Sequence, residues 1–218
     1  MTIIITFDIE TTGQYIQKDL CFAIGYCVGE IGGGSDGKKA RYMETGKWLV
    51  DLGKPADQSW QQFWASKSWE KRCFDEFWSK HTDLLDRFNN DPERLPNLET
   101  MIVKLNNALR RWEHAFPGGF LVAFDTLNFD SVWLNQLLQQ HHYADLARQR
   151  DGTGWRGALE VDSYRFGRLG VTPGDWNAFY ATIAALPQSI ERPAEADHDP
   201  AVDATNIFLD LAIAFAMK

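Results

Sequence analysis

No stretch of this sequence reaches the roughly 18 apolar residues that a membrane-spanning helix requires. The apolar start Ile3-Ile4-Ile5 meets Asp8 too early to be the core of a secretory signal, so a soluble, intracellular, cytoplasmic protein with no membrane partner is expected. Cysteine is scarce as well: Cys21, Cys27 and Cys73 are odd in number and contain no CxxC pair, which argues against a disulfide framework or a zinc knuckle. They are expected to be reduced and mostly buried. Positive charge is also in short supply, the formal net charge being −8, and this argues against a protein that grips a duplex through a broad basic face. It leaves open a site whose own carboxylates are neutralised by bound cations. One local exception is the run Arg148, Arg150, Arg156, Arg165 and Arg168, which reads equally well as a solvated loop or as a backbone-binding patch. Finally, Gly32, Gly33 and Gly34 lack the GxxxxGK[ST] context of a phosphate loop, so a turn between two strands is expected there.

What is present suits one α/β domain spanning residues 1–218, with 44% hydrophobic residues to build its core. Thr2 to Asp8 is a nearly continuous, β-branched apolar run, the pattern of a central strand buried on both faces. Leu20 to Val28 and Arg41 to Val50 read as two further strands around the glycine-rich turn. Between about 55 and 95 lies a helical, aromatic-rich insertion carrying Trp60, Phe63, Trp64, Trp69, Phe74, Phe77, Trp78 and Phe88, expected as two helical pieces. Leu98, Ile102, Leu105, Leu109 and Trp112 then recur at helical spacing after Pro96. Phe120 to Phe124 reads as a core strand, Phe129 to about His142 as a helix, and Leu159 to Asp162 as a last short strand. The segment from about 170 to 197, with three prolines, has no assignable pattern. Asp199-Pro200 supplies an N-cap acceptor and a first-turn proline for a C-terminal helix with Val202, Phe208, Leu211, Ala212 and Phe215 on its apolar face.

Asp8 and Glu10 are two residues apart at the end of the first strand, so both side chains leave on one side of the sheet. Paired carboxylates on a central strand repel each other unless something positive sits between them, and hard oxygen donors of this kind suit Mg²⁺ or Mn²⁺. A solvent-exposed acidic strand end is the competing reading of the pair alone.

The surrounding residues extend the pattern. Phe7-Asp8-Ile9-Glu10-Thr11-Thr12-Gly13 resembles the first exonuclease motif of the DEDDh superfamily, typified by bacterial polymerase proofreading subunits and ribonuclease T. Asn128-Phe129-Asp130-Ser131-Val132-Trp133-Leu134 is similar to its second motif, a Phe-Asp pair opening a helix. His198-Asp199-Pro200-Ala201-Val202-Asp203-Ala204 is similar to the third, His-x-x-x-x-Asp at the start of the last helix. Val161-Asp162-Ser163 resembles the family's fifth-strand Asp-Thr/Ser, and Phe74 to Lys80 resembles an exodeoxyribonuclease VIII-like branch common in phages. One departure matters: Phe124-Asp125 is a second Phe-Asp pair competing for the second motif, with Asp130 preferred for its place at a helix start.

The resemblance implies an α/β, RNase H-like fold with a mixed five-stranded sheet flanked by helices. It implies a 3′→5′ exonuclease using two divalent metal ions, Mg²⁺ or Mn²⁺, held by Asp8, Glu10, Asp130 and Asp203, with His198 as the general base. Thr11, Thr12 and Gly13 are expected near the terminal nucleotide, and Trp78 and Phe129 are candidates for stacking on a base, with core packing the competing and favoured reading for any single tryptophan. His81, His114, His141 and His142 lack such context and are expected at the surface. The expected partner is single-stranded nucleic acid or a 3′ end, DNA or RNA; the oligomeric state stays open, a homodimer included. Two other functions fit the same residues: an inactive RNase H-like nucleic-acid-binding module, and a metal-dependent phosphohydrolase acting on nucleotides.

Overall fold

The computed structural model describes residues 2–32, 40–125, 127–143, 146, 158–161, 178 and 198–216. The arginine run from Arg148 to Arg168, Asp162, Asp197 and, apart from residue 178, the segment 170–197 lie outside the described residues.

Five strands form one mixed sheet: β1 (Thr2–Thr11), β2 (Cys21–Ile31), β3 (Ala40–Leu49), β4 (Leu121–Phe124) and β5 (Ala158–Glu160), in the order β3-β2-β1-β4-β5. The first three pair antiparallel, while β4 runs parallel to both β1 and β5. This is the expected α/β layout, with β1 at its centre. Its apolar run is buried on both faces, as a central strand requires.

The aromatic-rich insertion folds as three short helices rather than two, α1 (Trp60–Ala65), α2 (Lys71–Glu76) and α3 (Thr82–Asn89), with a 3₁₀ turn at Trp78–Lys80. It is followed by α4 (Leu98–Ala115), whose first turn is capped where the Asn97 side chain accepts from Thr100 N at 2.8 Å. After β4, one turn of π-helix at Leu127–Ser131 leads into α5 (Val132–Gln140), so the expected helix begins in a wider turn. The last element is α6 (Pro200–Ala216), and Asp199 caps it as expected, its Oδ1 accepting from Ala201 N at 3.1 Å. Among the described residues, no helix is long and apolar enough to cross a membrane.

Alternation along β1 divides the interior in two. Ile3, Ile5, Phe7 and Ile9 face a large core shared with α4, α5 and the aromatic helices, where Phe7 packs on Trp112 and Phe124. Ile4 faces a smaller core built from α6 residues Ala204, Ile207, Phe208 and Leu211 with Cys27, Ile31, Ala123 and Val161. Thr6, on that same face, donates from Oγ1 to Ala204 O at 2.6 Å and ties α6 to the central strand.

Glycine makes the docking of α6 feasible. In the β1–β2 register Asp8 stands opposite Gly25 and Ile4 opposite Gly29. A Cβ on Gly25 would overlap the Pro200 carbonyl, and one on Gly29 would overlap the Phe208 ring. Both positions are therefore filled by the helix instead of by side chains of the strand.

Candidate active site

Asp8 and Glu10 follow Ile4 and Thr6 along the α6 face of β1, so the strand's period of two carries the carboxylates to the N-terminal end of that helix. There they meet the first turn of α6, which contributes Asp203, and the residue just before its cap, His198. Single ligand atoms of Glu10, His198 and Asp203 all lie within 4.8 Å of one another, a spacing one cation can bridge. Asp130 arrives from the π-turn and is buried at 6% exposure.

The electrostatics of this cluster are one-sided. Burial, then the charges of Glu10, Asp130, Asp203 and Asp125, push the Asp8 carboxyl well above the usual carboxylate range. Glu10 is raised well above it too, first by burial and then by Asp203, Asp130 and Asp199. The field reaches neighbouring groups: the Cys21 thiol is pushed up by burial and further by Asp130, Glu10 and Asp8. Asp130 thus bears on Asp8, Glu10 and Cys21, whereas Asp125, half-buried just past β4, bears on Asp8. The oxygen-rich donor set matches the preference of Mg²⁺ and Mn²⁺, and such a cation would relieve the repulsion that raises both carboxyls.

His198 has a left-handed backbone, φ 60°, a conformation sparsely populated by side-chain-bearing residues. Its ring meets the face or edge of two others: Phe77 at 4.6 Å between centroids and 85° between planes, and His81 at 4.8 Å and 69°. His81 was expected to be a surface residue without context; its ring instead stands against His198. Nothing in its local spacing signals this, because the contact joins residues 117 positions apart in chain numbering, 81 and 198. Asp199, beside His198, pairs with Lys47 of β3, which anchors the helix cap to the far side of the sheet.

The expected substrate-side residues separate into two groups. Phe129 is half-buried with its ring edge-on to Trp133 at 6.4 Å, whereas Thr11, Thr12 and Gly13 are all buried. Thr12 is fully buried, with its Oγ1 accepting from Leu20 N at 2.8 Å, and Thr11 donates from Oγ1 to Gly13 O at 2.8 Å. These hydroxyls shape the loop from within. Gly13 itself is hemmed in by Asp19 and Glu70, and a Cβ there would strike both side chains. Asp19 braces the loop by accepting from Tyr15 N at 2.9 Å and from Glu70 N at 2.8 Å.

Trp78 departs from the expectation of a base-stacking side chain. It is only 1% exposed, packs edge-on against Phe22 at 5.2 Å and Phe77 at 4.7 Å, and its indole N–H donates to Thr11 O at 2.9 Å. The ring is a core element. An aromatic side chain with a single donor fits there because Thr11 O, just past Glu10, needs a partner in the interior.

No protein-family model matches the chain, and no curated protein matches it in sequence. Solved nuclease structures nevertheless share its fold. Cell-death related nuclease 4 (CRN-4) superposes with a TM-score of 0.55 at 14% identity, over 99% of this chain and 64% of that one. Exonuclease I of E. coli, in complex with a dA16 oligonucleotide, superposes with a TM-score of 0.54 at 12% identity, over 100% of this chain and 42% of that one. A second exonuclease I structure gives 0.53 at 13% identity, covering 100% of this chain and 40% of that one. The chain therefore spans about two fifths of the length of exonuclease I. The likeness shows the fold: an α/β, RNase H-like mixed sheet flanked by helices.

Proposed function

We propose that this chain is a metal-dependent 3′→5′ exonuclease of the DEDDh type, releasing nucleoside monophosphates from the 3′ end of single-stranded nucleic acid. The observation that carries the reading is the convergence of Asp8, Glu10, Asp130 and Asp203, with His198 beside Glu10 and Asp203, at the start of α6. A solvated acidic strand end would not hold four carboxylates where burial and mutual repulsion raise two of them well above their usual range.

Asp8, Glu10, Asp130 and Asp203 would hold two divalent cations, Mg²⁺ or Mn²⁺, which supply charge neutralisation at the scissile phosphate and at the leaving 3′-oxygen. His198 accepts the proton of the attacking water at a ring nitrogen, a task for which the imidazole is suited near neutrality. The terminal nucleotide would lie beside the braced loop from Thr11 to Gly13, which follows Glu10 in the chain. Phe129, one residue before Asp130 and half-buried, offers a ring for the terminal base. Exonuclease I, a fold neighbour, has been seen with a dA16 oligonucleotide, which agrees with a single-stranded substrate.

A strand labelled at its 3′ end, compared with one labelled at its 5′ end, tests this directly. The 3′ label should leave at once as mononucleotide in Mg²⁺. Immediate release of the 5′ label, internal cutting, or binding without hydrolysis would overturn the exonuclease reading, and hydrolysis of free nucleotides alone would point to the phosphohydrolase.

A further inference from the structure

The aromatic insertion reaches the site through two side chains that the chemistry above does not use. Phe77, at the end of α2, and His81, at the start of α3, both contact the His198 ring. They also contact each other at 4.8 Å and 38°, so the three rings form a closed triangle. Phe77 is in turn fixed from behind by Trp78 at 4.7 Å and 85°, and Trp78 is anchored by its hydrogen bond to Thr11 O. A continuous path of packed rings therefore connects the end of β1, which carries Glu10, to the imidazole beside Glu10.

His198 needs such support. It precedes the cap of α6, outside the helix, and its left-handed backbone aims the side chain in a direction the helix itself does not enforce. Edge-to-face ring contacts at these separations are favourable and directional, and two of them meeting at one imidazole restrict its rotation. A general base must remain within hydrogen-bond reach of the water it deprotonates, and misplacement by an ångström costs orders of magnitude in rate.

We infer that Phe77 and His81 are positioning residues that hold the His198 ring in its working orientation, and that this clamp is a function of the aromatic insertion. The inference rests on the reading of His198 as the general base. Neither residue touches the substrate; each acts through His198.

A double-mutant cycle on the full chain tests it. Phe77→Leu and His81→Asn should each lower kcat about tenfold with KM within about twofold, and Phe77→Tyr, which keeps the ring, should restore kcat. In a His198→Ala background neither substitution should lower kcat further, because the group they position is gone. Unchanged kcat in both single variants, or an equal further loss in the His198→Ala background, would overturn the clamp. If Phe77→Leu fails to fold, His81→Asn at the half-buried rim runs the same cycle. The His198 ring resonances, read by NMR without any turnover, should move on Phe77→Leu; unmoved resonances would refute the contact itself. A wild-type protein without 3′ release would refute the exonuclease reading and leave that NMR result to decide the packing.

Discussion

Gly25 on β2 lies directly beneath the Pro200 carbonyl at the start of α6, so that a side-chain carbon at position 25 would occupy the space of that carbonyl. Gly25 is also the register partner of Asp8, so the absence of a side chain on one strand sets how near α6 comes to the carboxylates on the next. Gly25→Ala should therefore destabilise the protein by about 1–3 kcal/mol, the usual cost of overpacking, and reduce nuclease turnover in the surviving folded fraction. Gly118→Ala, where an added carbon meets nothing within 4 Å, is the control. Urea unfolding of both variants checks this, and equal stability would mean that the helix shifts without cost.

The raised carboxyls predict an unusual pH dependence for the metal-free protein. Asp8 and Glu10 bind their protons more tightly folded than unfolded, so they favour the folded state below the ordinary carboxylate range and lose that contribution as pH rises through their elevated values. Replacing Asp8 by Asn removes one of the repelling charges. At neutral pH the metal-free variant should melt higher than the wild type, by about 2–4 °C for each 1 kcal/mol relieved in a chain of this size. The gap should shrink as the pH falls towards 4. A variant that melts lower than the wild type at neutral pH would contradict the buried, repelling pair.

Activity should vanish in EDTA and return with Mg²⁺ or Mn²⁺, because the four carboxylates alone neither bind a phosphate nor lower the pKa of water. Asp8→Asn and Asp203→Asn should each abolish turnover with the fold intact by circular dichroism. Asp130→Asn should be inactive and Asp125→Asn active; the opposite result would transfer the second-motif role to Asp125.

His198→Ala should lower kcat by about 10²–10⁴-fold with a much smaller change in substrate binding. Near-normal turnover in that variant would leave His198 as a residue of the helix cap and end the DEDDh assignment.

Burial makes Trp78 a stability residue. Trp78→Ala should cost about 3–5 kcal/mol through the cavity it leaves, and Trp78→Phe about 1 kcal/mol through the lost indole bond, the Thr11 carbonyl keeping only the weak Cys73 thiol at 3.9 Å. The dissociation constant for single-stranded substrate, measured in Ca²⁺ to suppress turnover, should be unchanged for folded Trp78→Phe. Weakened binding at unchanged melting temperature would restore Trp78 to the substrate surface.

Much of the fold could be read from local pattern. The apolar run of β1, the 3.6-residue spacing of α4 and the Asp199-Pro200 start of α6 each carry their own signal, and each element formed where that signal lay. The meeting of Glu10 with His198 and Asp203 was implied only by the resemblance of the motifs, since no local period links residue 10 to residues 198 and 203. What escaped the sequence was set by contacts between distant segments. The number of helices in the insertion depends on how its tryptophans pack, with Trp64 against Trp69 and Phe74 rather than on any single amphipathic stripe. Trp78, for which packing and base stacking both fitted the sequence, is buried with its indole bonded to Thr11 O, 67 positions away. Gly25 and Gly29 have no signature apart from a strand context, and their role is visible only once α6 lies across them. His81 meets His198 across most of the chain.

The bond from Thr6 to Ala204 joins residues 198 positions apart, and the carboxylate cluster straddles the same join. Closing a loop of that length is entropically demanding and comes late when contacts form in order of proximity. During synthesis, a ribosome that has released β1 through α5 has made a sheet bearing Asp8, Glu10 and Asp130 but not Asp203 or His198. Such a chain holds three of the five proposed catalytic side chains. The proposed centre is completed only when α6 emerges and seats over Gly25, so the order of the residues makes its assembly the last step of folding.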